Sequence, residues 1–274
     1  MVEHERSTTP SPVKALVEMP ISTPIDGVEL TLLRSSGAGI SGDDWLVEPL
    51  GSGILRLAVI DGAFSLDAER RPPVGHDAAV FAAGVVRTAL RSEESAEEAL
   101  ERANSALFDP AVSPSRLRPS AAVAVIDLER SEEGLFGVAV SAADCFVYAA
   151  GIAEVGGWEE LVGGDHLNPE ARARWTALRA AHLASCPACA TSHCSTLLEL
   201  EAVELDDPSN RSCPAIGRDE RLSLRSKEFR AVQALVLSTD GIEPADIPDA
   251  PRAAARRLAA TPMADVTVLR VTTS

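Results

Sequence analysis

"LRLAVIDGAFSL", residues 55–66, decides how this chain folds. Leu57, Ala58, Val59 and Ile60 form an unbroken apolar run, the pattern of a strand buried on both faces. The run stops at Asp61-Gly62. Asp-Gly is ordinary turn chemistry. A carboxylate fixed at the end of a buried strand is also placed to bind or react, and the choice between the two depends on whether other acids share that setting.

The elements on either side of this strand set its context. "DDWLVEPLG" and "GILRLAVID" are joined by Gly51-Ser52-Gly53 and read as a hairpin. "GVELTLLRS", residues 27–35, alternates as a strand before it. "HDAAVFAAGVVRTALRS", 76–92, has helical period. "SAEEALERANSALF", 95–108, opens with Ser95 and a Glu three residues on, the capping-box signature. Three strand-like runs follow, "AAVAVIDLE", "LFGVAVSAAD" and "CFVYAAG". "PEARARWTALRAAHLAS", 169–185, is a helix with proline in its first turn. "AVQALVLSTDG", 231–241, is a second apolar strand ending in Asp-Gly. "APRAAARRLAA" is a short helix and "DVTVLRVTT" a last strand. Strands, two helices, strands, helices and a strand predict antiparallel sheets covered by helices rather than regular βαβ alternation. Residues 1–24, rich in Ser, Thr and Pro, are expected to be an extended or disordered lead-in.

With 274 residues, 46% hydrophobic and 24% charged, the chain has the means for a substantial core. No apolar run reaches bilayer length, and "MVEHERSTTPSPVK" has no secretory pattern. A cytoplasmic location and no membrane partner are expected. The net charge of −16, with no concentrated basic run, argues against nucleic acid as a partner. Five cysteines, an odd number, do not describe a disulfide scaffold.

Asp61 has company. Asp240 ends the strand of "LVLSTDG", Asp43 and Asp44 precede "WLVEPL", and Asp265 begins "DVTVLRV". Each can be read as a turn cap. If the strand ends converge, however, the crowded carboxylates would either protonate or recruit a cation, and hard oxygen ligands select Mg²⁺ or Mn²⁺.

The order of these pieces resembles the metal-dependent serine/threonine protein phosphatases (PPM, or type 2C). That family's motifs run Asn-Glu-Asp, Asp-Gly-x-Gly-Gly, Gly-Asp-Ser-Arg, an Asp-His element, Ser-Asp-Gly and Asp-Asn-x-Thr. Here the same order reads "SGDDW", "VIDGAFS", "AADCF", "GGDHLNPEARAR", "STDG" and "ADVTVL", from about residue 28 onward. The resemblance implies a four-layer α/β/β/α sandwich, two antiparallel sheets flanked by helices, as one domain over 25–274 with a flap segment at about 157–215. It implies two metal ions, with a third, weaker position. Asp61 would bridge the two ions, the Gly62 carbonyl would bind one, and Asp240 and Asp265 would complete the second. Asp43 and Asp44 would hold metal-bound waters. Asp144 and Asp165 match the acids of the additional position. The implied reaction is hydrolysis of phosphoserine and phosphothreonine in a phosphoprotein substrate by a metal-activated water, with Asp61, Asp240 and Asp44 as its principal acids. No Ser, Cys or His nucleophile is then needed.

The departures point to unusual substrate handling. Gly42-Asp43-Asp44 stands for Asn-Glu-Asp. Phe64 and Ser65 replace two glycines, Ala143-Asp144-Cys145-Phe146 replaces Gly-Asp-Ser-Arg, and Val266 replaces an asparagine. The family's phosphate-gripping arginine lies shortly before the acidic pair, whereas here Arg34 stands ten positions before Asp44. A PPM-fold binding or regulatory module with weak or lost catalysis is the alternative.

"AAHLASCPACATSHCS" needs its own reading. His182, Cys186, Cys189, His193 and Cys194 have the spacing of a Zn²⁺ site, with His182 and Cys186 one helical turn apart. His-x-x-x-Cys-x-x-Cys also resembles the zinc-binding anti-sigma motif over this short segment. Thiols without metal and a redox disulfide are the other readings. Cys145 and Cys213 read as small core residues, and Trp45, Trp158 and Trp175 as packing anchors.

Overall fold

The computed structural model describes residues 15–36, 42–63, 76–111, 118–151, 157–165, 167–187, 206–239 and 266–273, with positions 196, 200, 203, 204 and 247. The strands among these are β1 (Ala15–Ile21), β2 (Val28–Ser36), β3 (Asp43–Pro49), β4 (Leu55–Ala63), β5 (Ser120–Ser131), β6 (Gly134–Ala142), β7 (Phe146–Gly151), β8 (Glu159–Val162), β9 (Arg225–Ser238) and β10 (Thr267–Thr273). The helices are α1 (His76–Leu90), α2 (Ala96–Leu107) and α3 (Pro169–Ser185). No helix among the described residues is long and apolar enough to cross a membrane.

The strands form one antiparallel sheet in the order β1-β2-β10-β9-β6-β5-β4-β3, with β7 against β9 and β8 against β7. Two sheets are the sequence expectation; the structure joins them through β9. Its first part, from Arg225 to Val232, pairs with β6. Its second part, Ala234 to Ser238, lies between β7 and β10. Near the end of the first part Ala231 takes a φ of 55°, unusual for a residue with a Cβ, and the register with β6 shifts there. This bend lets one strand serve both halves of the sheet. β9 also starts earlier than its apolar pattern indicates, because the charged stretch "RSKEF" pairs along β6 while remaining largely exposed.

The halves pack face to face. In β4, Leu55, Leu57 and Val59 join Leu30 and Leu32 of β2, Leu235 and Leu237 of β9, and Leu269 and Val271 of β10 in the core between them. The alternate residues Ala58 and Ile60 point the other way, into a second cluster with Ala82, Val86 and Leu90 of α1 and Ala99, Leu100 and Leu107 of α2. This two-sided burial explains why β4 reads as continuous apolar sequence. The helix residues recur at the three- and four-residue spacing of one helical face.

On the outer face of the second half, Leu33, Tyr148, Val236 and Val268 cluster with Ile247 and Val266. The helix expected in "APRAAARRLAA" lies outside the described residues, so the described part shows the α1/α2 layer and the two sheet layers. Within the expected lead-in, Ala15–Ile21 is an edge strand paired with β2. Its pattern is poorly alternating and contains Pro20, a residue tolerated at a sheet edge. β8 is only four residues long, two of them exposed glutamates, and carries little strand pattern. α3 is capped by Asn168, whose side chain accepts from the Ala171 N–H, and starts at Pro169. It buries Ala171 and Trp175 against Leu167.

Candidate active site

The β3–β4 hairpin places Asp43 directly opposite Asp61, and Asp44 opposite Ile60. Opposed residues in an antiparallel pair share a face, and successive residues alternate. Asp43 and Asp61 therefore lie on the face between the sheet halves. Asp44 lies on the helix face with Ile60, where it meets Arg87 of α1, whose Nη1 donates to both carboxylate oxygens at 3.2 and 3.3 Å. The N–H of Trp45 also donates to Asp44, at 2.8 Å. The structure thus brings Asp43 and Asp61 together and sends Asp44 away from them.

Beyond Asp61 the ladder continues, with the Gly62 N–H donating to the Gly42 carbonyl at 3.1 Å. Gly62 has no room for a side chain, because a Cβ would collide with the backbone of Ala79 in α1. Glycine is what lets the acid-bearing strand end pass beneath that helix.

Asp43 is 4% exposed. Two residues from the other half of the sheet reach it. Thr239 Oγ1 donates to its carboxylate at 2.9 Å, and Arg34 Nη2 donates to its backbone carbonyl at 3.0 Å. Thr239 Oγ1 in turn accepts from the Thr267 N–H at 2.9 Å, and the Thr239 N–H donates to the Thr267 carbonyl at 3.0 Å. Asp240 and Asp265 lie outside the described residues. Their sequence neighbours, Thr239 and Val266, stand at the adjoining ends of β9 and β10.

Two further acids read from the sequence lie outside the β3–β4 hairpin. Asp144 lies in the β6–β7 turn after Ala143, which has a φ of 59°. The Ala143 N–H donates to Cys213 Sγ at 3.2 Å, and burial pushes the Cys213 thiol above the ordinary range. Asp165 accepts from the Leu167 N–H at 3.2 Å and pairs with Arg172 of α3, so it fixes the approach to that helix. His182 and Cys186 sit one turn apart at the end of α3, with the Cys186 N–H donating to the His182 carbonyl at 2.8 Å. Cys189, His193 and Cys194 lie outside the described residues. Among the described residues no group of three or more His, Cys, Asp and Glu is arranged to hold a metal ion.

No protein-family profile matches the chain, and no curated protein matches it by sequence. Solved structures do. RsbX in complex with magnesium aligns at a TM-score of 0.55 over 93% of this chain and 100% of its own, with 10% identity. The serine/threonine phosphatase of S. agalactiae gives 0.55 over 90% and 100%, with 14% identity. Stp1, the serine/threonine phosphatase of Staphylococcus aureus, gives 0.53 over 93% and 98%, with 14% identity. The fold is that of the bacterial PPM-type serine/threonine phosphatases. At these identities the likeness is one of architecture.

Within this PPM-type fold, three residues at the acids are additional to those read from sequence: Thr239, Thr267 and Arg87. Thr239 had a local signal, standing beside Asp240 in "STDG". Thr267 lies in an apolar strand and Arg87 in an amphipathic helix, where nothing local marks them. Arg34 is distant from the acidic pair in sequence, yet it reaches Asp43 because it arrives on the opposite half of the sheet. The donor set fits a hard divalent cation: Asp43 and Asp61 supply carboxylate oxygens on one face. Across from them the buried Thr267 hydroxyl has no hydrogen-bond partner among the described residues.

Proposed function

We propose that this protein is a metal-dependent phosphatase that removes phosphate from phosphoserine and phosphothreonine in proteins, with Mn²⁺ or Mg²⁺. The observation that carries the reading is the facing pair Asp43 and Asp61 at the mouth between the sheet halves, opposite the strand ends that lead into Asp240 and Asp265. The architecture shared with two serine/threonine phosphatases and with RsbX, which is in complex with magnesium, supports it.

Asp61, the Gly62 carbonyl, Asp240 and Asp265 are the groups that would hold two ions, with Asp144 and Asp165 at a third. Such ions, when bound, lower the pKa of a water and offset charge on a phosphoryl group. Thr239 holds the Asp43 carboxylate in one orientation. Arg34 brings a guanidinium to the same mouth, which on a chain of net charge −16 favours an anionic group at that point. Asp44 would join the site only by leaving Arg87. The same reading takes residues 25–274, with β1 added at the edge of their sheet, as one domain acting in the cytoplasm, with 157–215 as its flap.

The test is phosphate release from a phosphopeptide by the full chain, with Mn²⁺ and with EDTA. Release is expected only with metal. Asp61→Asn should lower it at least about a hundredfold. In EDTA this variant should melt at or above the wild-type temperature, because one of two directly opposed negative charges is gone. No metal-dependent release from any phosphopeptide would overturn the reading. So would an Asp61→Asn variant that merely halves activity and melts far lower in EDTA, since Asp61 would then be a turn residue.

A further inference from the structure

Thr267 is fully buried at the start of β10, and its Oγ1 has no hydrogen-bond partner among the described residues. Its backbone N–H and carbonyl are both committed to Thr239. A buried hydroxyl without a partner is destabilising, and valine would fill nearly the same space without that penalty. The following residues of β10 show that the strand accepts such side chains, with Val268, Leu269 and Val271 all buried.

The surroundings give the hydroxyl a use. Thr267 alternates with Leu269 and Val271, which face the core between the sheet halves. In register it stands beside Arg34 of β2, and on its other side lies Thr239, bonded to it through the backbone. Arg34, Thr267 and Thr239 form a row across three neighbouring strands. Both outer members reach Asp43 on the opposite half. The middle member faces the same acids with its hydroxyl unspent.

We infer that Thr267 Oγ1 is a ligand-facing group, accepting a hydrogen bond from a water of the hydrated divalent cation that the acids hold. The inference rests on the metal-dependent reading above. A cation-bound water is a strong donor and remains on Mg²⁺ or Mn²⁺ in sites of this kind. Outer contacts to bound waters set ion affinity without being ligands themselves.

The test compares the full-length wild type with Thr267→Val and Thr267→Ser, by calorimetric titration with Mn²⁺ and by thermal melting in EDTA. Thr267→Val should melt at or above wild type in EDTA, because an unsatisfied hydroxyl has been removed. It should bind Mn²⁺ about tenfold more weakly. Thr267→Ser, which keeps the hydroxyl, should bind Mn²⁺ as wild type does. If Thr267→Val folds and binds Mn²⁺ with wild-type affinity, the inference fails while the phosphatase reading stands. A lower melting temperature for Thr267→Val in EDTA also overturns it, since the hydroxyl would then have a partner in the protein. A wild-type protein that takes up no Mn²⁺ overturns both.

Discussion

Arg56 is a charged residue near the start of β4, beside the apolar run Leu57–Ile60, and it is fully buried. Its guanidinium is completely engaged. Nε and Nη2 grip the two oxygens of Asp127 at 2.6 Å. Nη1 donates to the carbonyls of Leu90 and Ser92, and Nη2 also donates to that of Glu94. These carbonyls belong to the end of α1 and the turn into α2, where a helix leaves acceptors without partners. One side chain thus joins β4, β5 and the α1–α2 turn. Arg56→Ala strands the Asp127 carboxylate and three carbonyl acceptors, that of Leu90 buried, so a loss of about 3 kcal/mol is expected, read as a shift of the urea midpoint. A shift under about 0.5 kcal/mol would show that water replaces the guanidinium at no cost. In sequence Arg56 is a single interruption in an apolar run. Nothing local announces that Asp127, 71 positions away, is its partner.

At the scale of elements, local chemistry was legible wherever the signal itself was local. Ser95 and Glu98 satisfy each other's backbone N–H groups at the start of α2, as the capping-box spacing requires. The Ser95 contact lowers the Glu98 carboxyl below its ordinary range. Ser95→Ala should cost about 1 kcal/mol, measured by chemical unfolding with a second substitution, Glu98→Ala, to show that the two losses are not additive. Full additivity would mean that the box is not a unit. The β3–β4 hairpin and the proline-led start of α3 were equally readable, because turn residues and caps act within a few positions. β1, β8 and the first part of β9 were not readable. Their residues are exposed or charged, and they become strands by pairing with β2, β7 and β6. The acids divide in the same way. Asp61 at the end of its apolar strand was legible, and its opposition to Asp43 follows from the hairpin. The cross-sheet bond from Thr239 and the diversion of Asp44 to Arg87 depend on pleat direction and on the stacking of two halves, which sequence spacing does not encode.

At the scale of the whole molecule, β9 makes the two halves of the sheet mutually dependent. Withdrawing that strand would unpair β6 in one half and β7 and β10 in the other, and the core between the halves takes side chains from both. Unfolding in urea should therefore give one transition, with far-UV circular dichroism and tryptophan fluorescence falling together, since Trp45 packs against the shared core and Trp158 against the outer cluster of the second half. Two separated transitions would show that the halves are independent. The position of β10 has a further consequence for how the protein is made. It is the last of the described strands in the chain, yet it lies inside the sheet, between β2 and β9, with Thr273 beside Val28. A ribosome delivers β2 long before its neighbour exists. Until β10 emerges, the facing edges of β2 and β9 are open to pairing with other chains. The Arg34–Thr267–Thr239 row is also incomplete until then. Translation that stops short of residue 267 is therefore expected to yield an aggregation-prone fragment that lacks the completed row.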